Sequence, residues 1–142
     1  MRLLLIAACI GAALSACGRT PAYPEAPSDR ASVRIPLGEL KEGGPVFHTF
    51  YAEGRKGINY FVLKEGDAVS SYFDACARCY PRKLGYRRER GRVVCRTCDV
   101  GYERHDLKDG VGSCYPISLA GSVDGVVYVI RIEDILKGGR YF

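Results

Sequence analysis

Two Cys-x-x-Cys pairs, Cys76-Ala77-Arg78-Cys79 and Cys95-Arg96-Thr97-Cys98, stand fifteen residues apart in a chain of 142. No other feature restricts the fold as much. Two residues between cysteines let a tight turn aim both sulfurs to one side while its backbone N–H groups face them, and two such turns complete a tetrahedron of thiolates. The spacing falls at the edge of the range expected for tetrathiolate metal sites. The fifteen residues between the pairs suffice for a hairpin, formed by Arg82-Lys83-Leu84-Gly85-Tyr86 and Arg90-Gly91-Arg92-Val93-Val94, that brings the turns together.

That segment is strongly basic. Between Cys76 and Cys98 lie Arg78, Arg82, Lys83, Arg87, Arg88, Arg90, Arg92 and Arg96 against Glu89 alone, a net charge of +7. Four thiolates around a divalent or trivalent ion leave a negative site, which these cations would offset. Arg78 and Arg96, inside the turns, are expected to favour a reduced centre. The competing reading is a solvated loop, with anionic headgroups as a second partner.

Disulfides are the first alternative to metal, but setting aside Cys9 and Cys17 leaves five cysteines and so one unpaired. A thioredoxin-like site needs a helix start in a βαβ unit, which the sequence does not show, and Tyr80-Pro81 follows Cys79. Type c haem needs histidine after the second cysteine, where Tyr80 and Asp99 stand. Cys114 is open to three readings: a further ligand, a replacement for one of the four, or a buried thiol. His48 and His105 lack partners at ligand spacing and are read as structural or surface residues. Asp74, two residues before Cys76, is read as a capping group or a support for the ligands. No hydrolytic or transfer constellation stands out, so the expectation is a non-catalytic electron-transfer or metal-binding protein.

The rest of the chain reads as mainly β with short helical turns: a small β domain carrying a ribbon-like, tetra-cysteine metal-binding hairpin. Val33–Leu37 contains Pro36, which confines it to a sheet edge or strand end. Val46–Tyr51 and Ile58–Leu63 are β-branched and aromatic around a Gly-containing turn, a hairpin signature. Ala68–Phe73 leads into the first cysteine pair, Gly125–Ile132 is the strongest strand signal, and Glu133–Lys137 can make one helical turn. Residues 35–47 faintly echo residues 130–142, as two similar strand-to-turn units.

At the start, Arg2 precedes an apolar run, Leu3 to Leu14, too short to span a bilayer reliably and of the length of a signal-peptide core. Leu14-Ser15-Ala16-Cys17 resembles the bacterial lipobox. Residues 1–16 are therefore expected to be a lipoprotein signal peptide, with Cys17 the acylated first residue and the lipid bilayer its partner. Residues 17–30, with Pro21, Pro24 and Pro27, read as a flexible tether, and residues 31–142 as one domain. The expected location is the bacterial cell envelope, lipid-anchored and facing the periplasm, where nucleic acid is not a partner.

The runs Phe73-Asp74-Ala75-Cys76-Ala77-Arg78-Cys79-Tyr80-Pro81, Gly85-Tyr86, Val93-Val94-Cys95-Arg96-Thr97-Cys98 and Gly112-Ser113-Cys114-Tyr115-Pro116-Ile117 resemble the FtrD-like membrane iron-sulfur domain, over about residues 35–142. The resemblance implies Cys76, Cys79, Cys95, Cys98 and Cys114 as cofactor-binding residues. It also implies iron or an iron-sulfur cluster as cofactor, and a membrane redox partner or an iron permease as partner. Relatives often read Gly-Gly-Cys-Asn-Pro where this chain has Gly112-Ser113-Cys114-Tyr115-Pro116, and many follow a multi-span membrane region that this sequence lacks. The spacing itself suits zinc as well as iron, so a structural zinc ribbon stands beside the redox reading.

Overall fold

Every residue from Ile58 to Leu63 is buried, so this strand must be covered on both faces, and that requirement sets the layering of the protein. The structure, a computed structural model, describes residues 21–110 and 112–142, apart from the side chain of Arg104. Residues 1–16, expected to be a signal peptide, and Cys17, expected to carry lipid, lie outside the described residues. The strands are β1 (Ser32–Pro36), β2 (Val46–Phe50), β3 (Ile58–Glu65), β4 (Ala68–Cys76), β5 (Tyr86–Glu89), β6 (Arg92–Cys95), β7 (Gly101–Tyr102), β8 (Pro116–Leu119), β9 (Ser122–Asp124) and β10 (Val127–Arg131). One short helix, α1 (Ile132–Leu136), and several 3-10 turns complete the described chain. The fold is mainly β with short helical turns, as the sequence indicates.

Three antiparallel sheets form, in the orders β1-β10-β9, β2-β3-β4-β8 and β5-β6-β7. The four-stranded sheet is central. Alternation along β3 sends Ile58, Tyr60 and Val62 into one core and Phe61 and Leu63 into the other, as the two-residue side-chain period of a strand requires. In β4 the same alternation sends Phe73 and Ala75 to the first core and Tyr72 and Cys76 to the second. The first core is closed by Val33, Ile35, Tyr128 and Ile130 of the first sheet and by Ile135, Tyr141 and Phe142. The second is closed by the small sheet that carries the cysteine hairpin.

Pro36 ends β1, which stands at the edge of its sheet and pairs with β10. The echo between residues 35–47 and 130–142 is structural in its first half. Ile35 and Ile130 lie on the paired strands β1 and β10, each strand runs into a helical turn, and the matching Leu40 and Ile135 both enter the first core. The halves then diverge, one into β2 and the other into the 3-10 helix Lys137–Tyr141.

Residues 21–28, read from their prolines as part of a flexible tether, instead lie against the sheets, residues 21–24 at the outer edge of β2 and residues 27 and 28 beside β1. Tyr23 N–H donates to Thr49 Oγ1 (2.8 Å), Thr49 N–H donates to the Pro24 carbonyl (3.3 Å), and Asn59 Nδ2 donates to the Pro21 carbonyl (2.5 Å). The Tyr23 ring stacks on Phe47 with centroids 4.9 Å apart, and Arg34 N–H bonds the Pro27 carbonyl. The physical reason is the edge itself: β2 would otherwise present unpaired backbone groups and an exposed aromatic ring.

Gly138 and Gly139 provide a test of packing on the central sheet. A Cβ on Gly138 would stand 2.1–2.6 Å from the Phe73 ring, whereas one on Gly139 would meet only Ile58 Cδ1 at 3.7 Å. Gly138→Ala is expected to cost about 1–3 kcal/mol through overpacking, and Gly139→Ala much less; chemical denaturation of the two variants checks the difference.

Candidate metal centre

β4 delivers the first cysteine: Tyr72, Asp74 and Cys76 share the face of the central sheet that looks onto the hairpin. The end of β4 is pinned by β8, through the pairing of Cys76 with Pro116 and the Ala77 N–H donating to the Tyr115 carbonyl (2.9 Å). Cys79 then opens a 3-10 turn, Tyr80–Arg82, which Lys83 ends in the left-handed region at φ 55°. Because Tyr80 and Pro81 are spent on this turn, the hairpin strand begins at Tyr86 and not at Arg82 as expected. The second turn follows β6, closed by Asp99 N–H to the Cys95 carbonyl and Cys95 N–H to the Val100 carbonyl, each 2.9 Å. Asp99 takes φ 58°, a conformation that Asp tolerates better than most residues.

The two turns present equivalent environments to their first sulfurs. N–H groups of Arg78 and Cys79 are directed at Cys76 Sγ, those of Thr97 and Cys98 at Cys95 Sγ, and that of Val100 at Cys98 Sγ. Cys76, Cys79 and Cys95 hold their sulfurs mutually within 4.8 Å, and so do Cys79, Cys98 and Cys114. Cys79 is shared by the two triads. Cys114, outside the paired spacing, is brought in by the pairing of β8 with β4 and lies 3.9 Å from Cys98, sulfur to sulfur. All five thiols are free. Cys76, Cys95 and Cys114 are buried, Cys79 is half-buried and Cys98 is exposed, so the cluster has one open edge.

Thiol acidity follows from this crowding. Burial pushes Cys76 and Cys98 up, but the N–H groups and neighbouring thiols outweigh it and hold both below the ordinary thiol value. Cys79 is raised by burial and then by the charge on Cys76. Burial pushes Cys95 up to about 11 and also raises Cys114. Each triad thus holds one thiol more acidic than usual, Cys76 in one and Cys98 in the other, and a bound cation would draw the protons off all of them.

Asp74 organises the hairpin start. Its carboxylate accepts the Tyr86 N–H (2.5 Å) and the Tyr23 hydroxyl (3.3 Å). It fills the space beside Gly85, where a Cβ would come within 2.4–2.6 Å of the carboxylate. Gly85 also has φ +65°, so glycine is required twice over. The arginines serve the frame more than the sulfurs. Arg96 Nε donates to the Tyr86 carbonyl (2.8 Å), Arg78 to Ser113 Oγ (3.2 Å), Arg87 to Glu89 and Asp99, and Arg92 pairs with Glu103. The hydrogen bonds of Arg78 and Arg96 go to Ser113 and to the Tyr86 carbonyl, so an effect of these two arginines on the centre would act through their charge.

The histidines stay apart from the cysteines. His48 is buried on β2 with Nδ1 at 3.3 Å from the Pro24 carbonyl, and burial lowers its pKa. His105 is exposed beside Asp106. Two tyrosines that the sequence reading passed over matter more. Tyr86 and Tyr102 are 0 % exposed in the second core with Cys76, Cys95 and Cys114, their rings edge to face at 6.1 Å. Burial first, then the cysteine charges, raise both phenols. The alternation Tyr86, Val93 and Tyr102 on paired strands could have flagged them as facing the cysteines.

A cluster of five thiols on a small β domain is a donor set for soft and borderline metals, with thiolate sulfur favouring zinc, copper(I) and iron-sulfur centres. Residues 40–142 match the family described as membrane iron-sulfur containing protein, FtrD-like, and the chain belongs to that family. The cysteine cluster fits the iron-related function of that description. Comparison with curated proteins and with solved structures found no match. Among the described residues, no helix is long and apolar enough to cross a membrane.

Burial pushes the Asp74 carboxyl up to about 7, against the Tyr86 N–H, the Tyr23 hydroxyl and Arg96, all of which favour its charged form. The folded chain therefore binds this proton more tightly than the unfolded chain, and the associated stability is lost as pH rises from about 4 through about 7. Thermal melts of chelated protein are expected to show that decline, and Asp74→Asn to flatten it.

Proposed function

We propose that this chain is a lipid-anchored, periplasm-facing protein of the bacterial envelope that uses an iron or iron-sulfur centre to pass electrons or assist iron handling. The observation that carries the reading is the gathering of Cys76, Cys79, Cys95, Cys98 and Cys114 into one cluster of two triads joined at Cys79. A closed structural zinc site uses four thiolates; this cluster gathers five and leaves Cys98 at the surface. Iron bound there would supply one-electron redox chemistry. The chain's own contribution is to direct N–H groups at Cys76, Cys95 and Cys98, to shield the inner sulfurs from water, and to leave the Cys98 edge open for a membrane redox partner or an iron permease. Lipid on Cys17 would hold that edge near such a partner.

The test is anaerobic purification of the full chain in detergent, with visible absorption, iron, zinc and acid-labile sulfide measured on one sample. Iron with sulfide and colour is the expected result, and iron without sulfide would make the centre mononuclear. Colourless protein holding one zinc after iron-supplemented expression would replace the reading with a structural zinc module. Cys79→Ser, which removes a member of both triads, is expected to lose essentially all iron, and Cys114→Ser, confined to one triad, to retain more; iron per chain separates them. Cys17→Ser should move the protein from the membrane to the soluble periplasmic fraction, and unchanged membrane retention would rule out the lipid anchor.

A further inference from the structure

Other tyrosine hydroxyls in this protein find partners. Tyr128, 2 % exposed, meets Ser71 Oγ at 3.0 Å, and Ser71 donates onward to the Leu119 carbonyl. Tyr23 donates to Asp74. The hydroxyls of Tyr86 and Tyr102 are different: both are fully buried and, among the described residues, have no hydrogen-bond partner. Leaving a buried polar group of this kind unsatisfied is destabilising, and here two such groups lie in one core.

Their surroundings identify the acceptor. The two rings line the second core with Phe61, Leu63, Val93 and Leu107, which offer no polar side-chain atom, with Tyr72, whose hydroxyl lies beside Ser70, and with Cys76, Cys95 and Cys114. The Tyr86 hydroxyl is close enough to the Cys76 sulfur to perturb its acidity without completing hydrogen-bond geometry, and Tyr102 lies within the field of Cys76, Cys114, Cys98 and Cys95. A thiol sulfur is a weak acceptor, whereas a metal-bound thiolate or a sulfide carries the negative charge that makes a hydrogen bond to it stronger.

We infer that Tyr86 and Tyr102 donate their hydroxyl hydrogens to sulfur of the bound centre and thereby set its reduction potential. The inference rests on the iron reading above. When one electron arrives from a one-electron carrier, no covalent bond breaks and each phenol keeps its proton. What changes is the negative charge on sulfur, and so the strength of the two hydrogen bonds. They favour the reduced state, and the apolar, aromatic core around them enlarges the effect by excluding water. Tyr86 and Tyr102 are positioning and tuning residues here, while the cysteines remain the ligands.

The experiment is redox titration of the iron-loaded full chain in detergent, with Tyr86→Phe, Tyr102→Phe and the double variant, alongside protein labelled with 3-fluorotyrosine, a stronger donor. Each phenylalanine is expected to shift the oxidised-to-reduced ratio at fixed potential about threefold to tenfold toward oxidised. The double variant should shift further at unchanged iron content. Fluorotyrosine should shift the ratio the other way, and labelling the double variant should abolish that response. Wild type without iron overturns the reading of the site and this inference with it. Iron-loaded wild type whose ratio matches the variants, or a fluorotyrosine shift that survives in the double variant, overturns the inference alone. Should the double variant not load iron, the opposite signs expected of a single variant and of the label decide the matter.

Discussion

Burial of β3 on both faces is the constraint from which the arrangement of the protein follows. A strand covered on both sides must hand alternate residues to two cores, and its neighbour β4 does the same. One consequence is a division of labour. The first core, closed by β1, β10 and the C-terminal turns, is aliphatic and aromatic and holds the sheet; the second is aromatic and sulfur-rich and holds the centre. Phe73 and Cys76 lie three residues apart on one strand yet belong to different cores.

The sulfur core is built with few charges inside it. Its cations lie in the hairpin but spend their hydrogen bonds on backbone carbonyls, Ser113, Glu89, Asp99 and Glu103. Exposed pairs of this kind contribute about 0–1 kcal/mol each, so their value lies in fixing the register of β5, β6 and β7. The negative charge of a thiolate cluster is met instead by backbone N–H groups, which are fixed by the turns and need no rearrangement.

The paired cysteines were legible because their spacing is local: two residues set each turn, and fifteen residues set a hairpin. The hairpin of β2 and β3, the strand β10 and the helical turn after it were legible from composition for the same reason. Cys114 was reached through the family resemblance and not through spacing, because its place depends on β8 pairing with β4, a contact between segments some forty residues apart. Residues 21–28 were misjudged because their prolines describe the isolated chain, while the sheet edges that order them belong to the tertiary structure. Tyr86 and Tyr102 were passed over because nothing local in the sequence shows what their hydroxyls face.

The docking of residues 21–28 against the sheets bears on how far the domain can roam. Under the lipidation proposed for Cys17, residues 18–20 alone would separate the anchor from Pro21, whose carbonyl is bonded to Asn59. A fully extended chain reaches about 3.5 Å per residue, so the leash spans roughly 14 Å from Cys17 to Pro21. A flexible connection through residue 30 would have allowed about three times that distance. Tyr23, which continues the same segment, grips Asp74 beside the hairpin, so the short leash ends within a few residues of the cysteine cluster. Such a mount would restrict encounters to partners embedded in, or lying flat on, the same membrane.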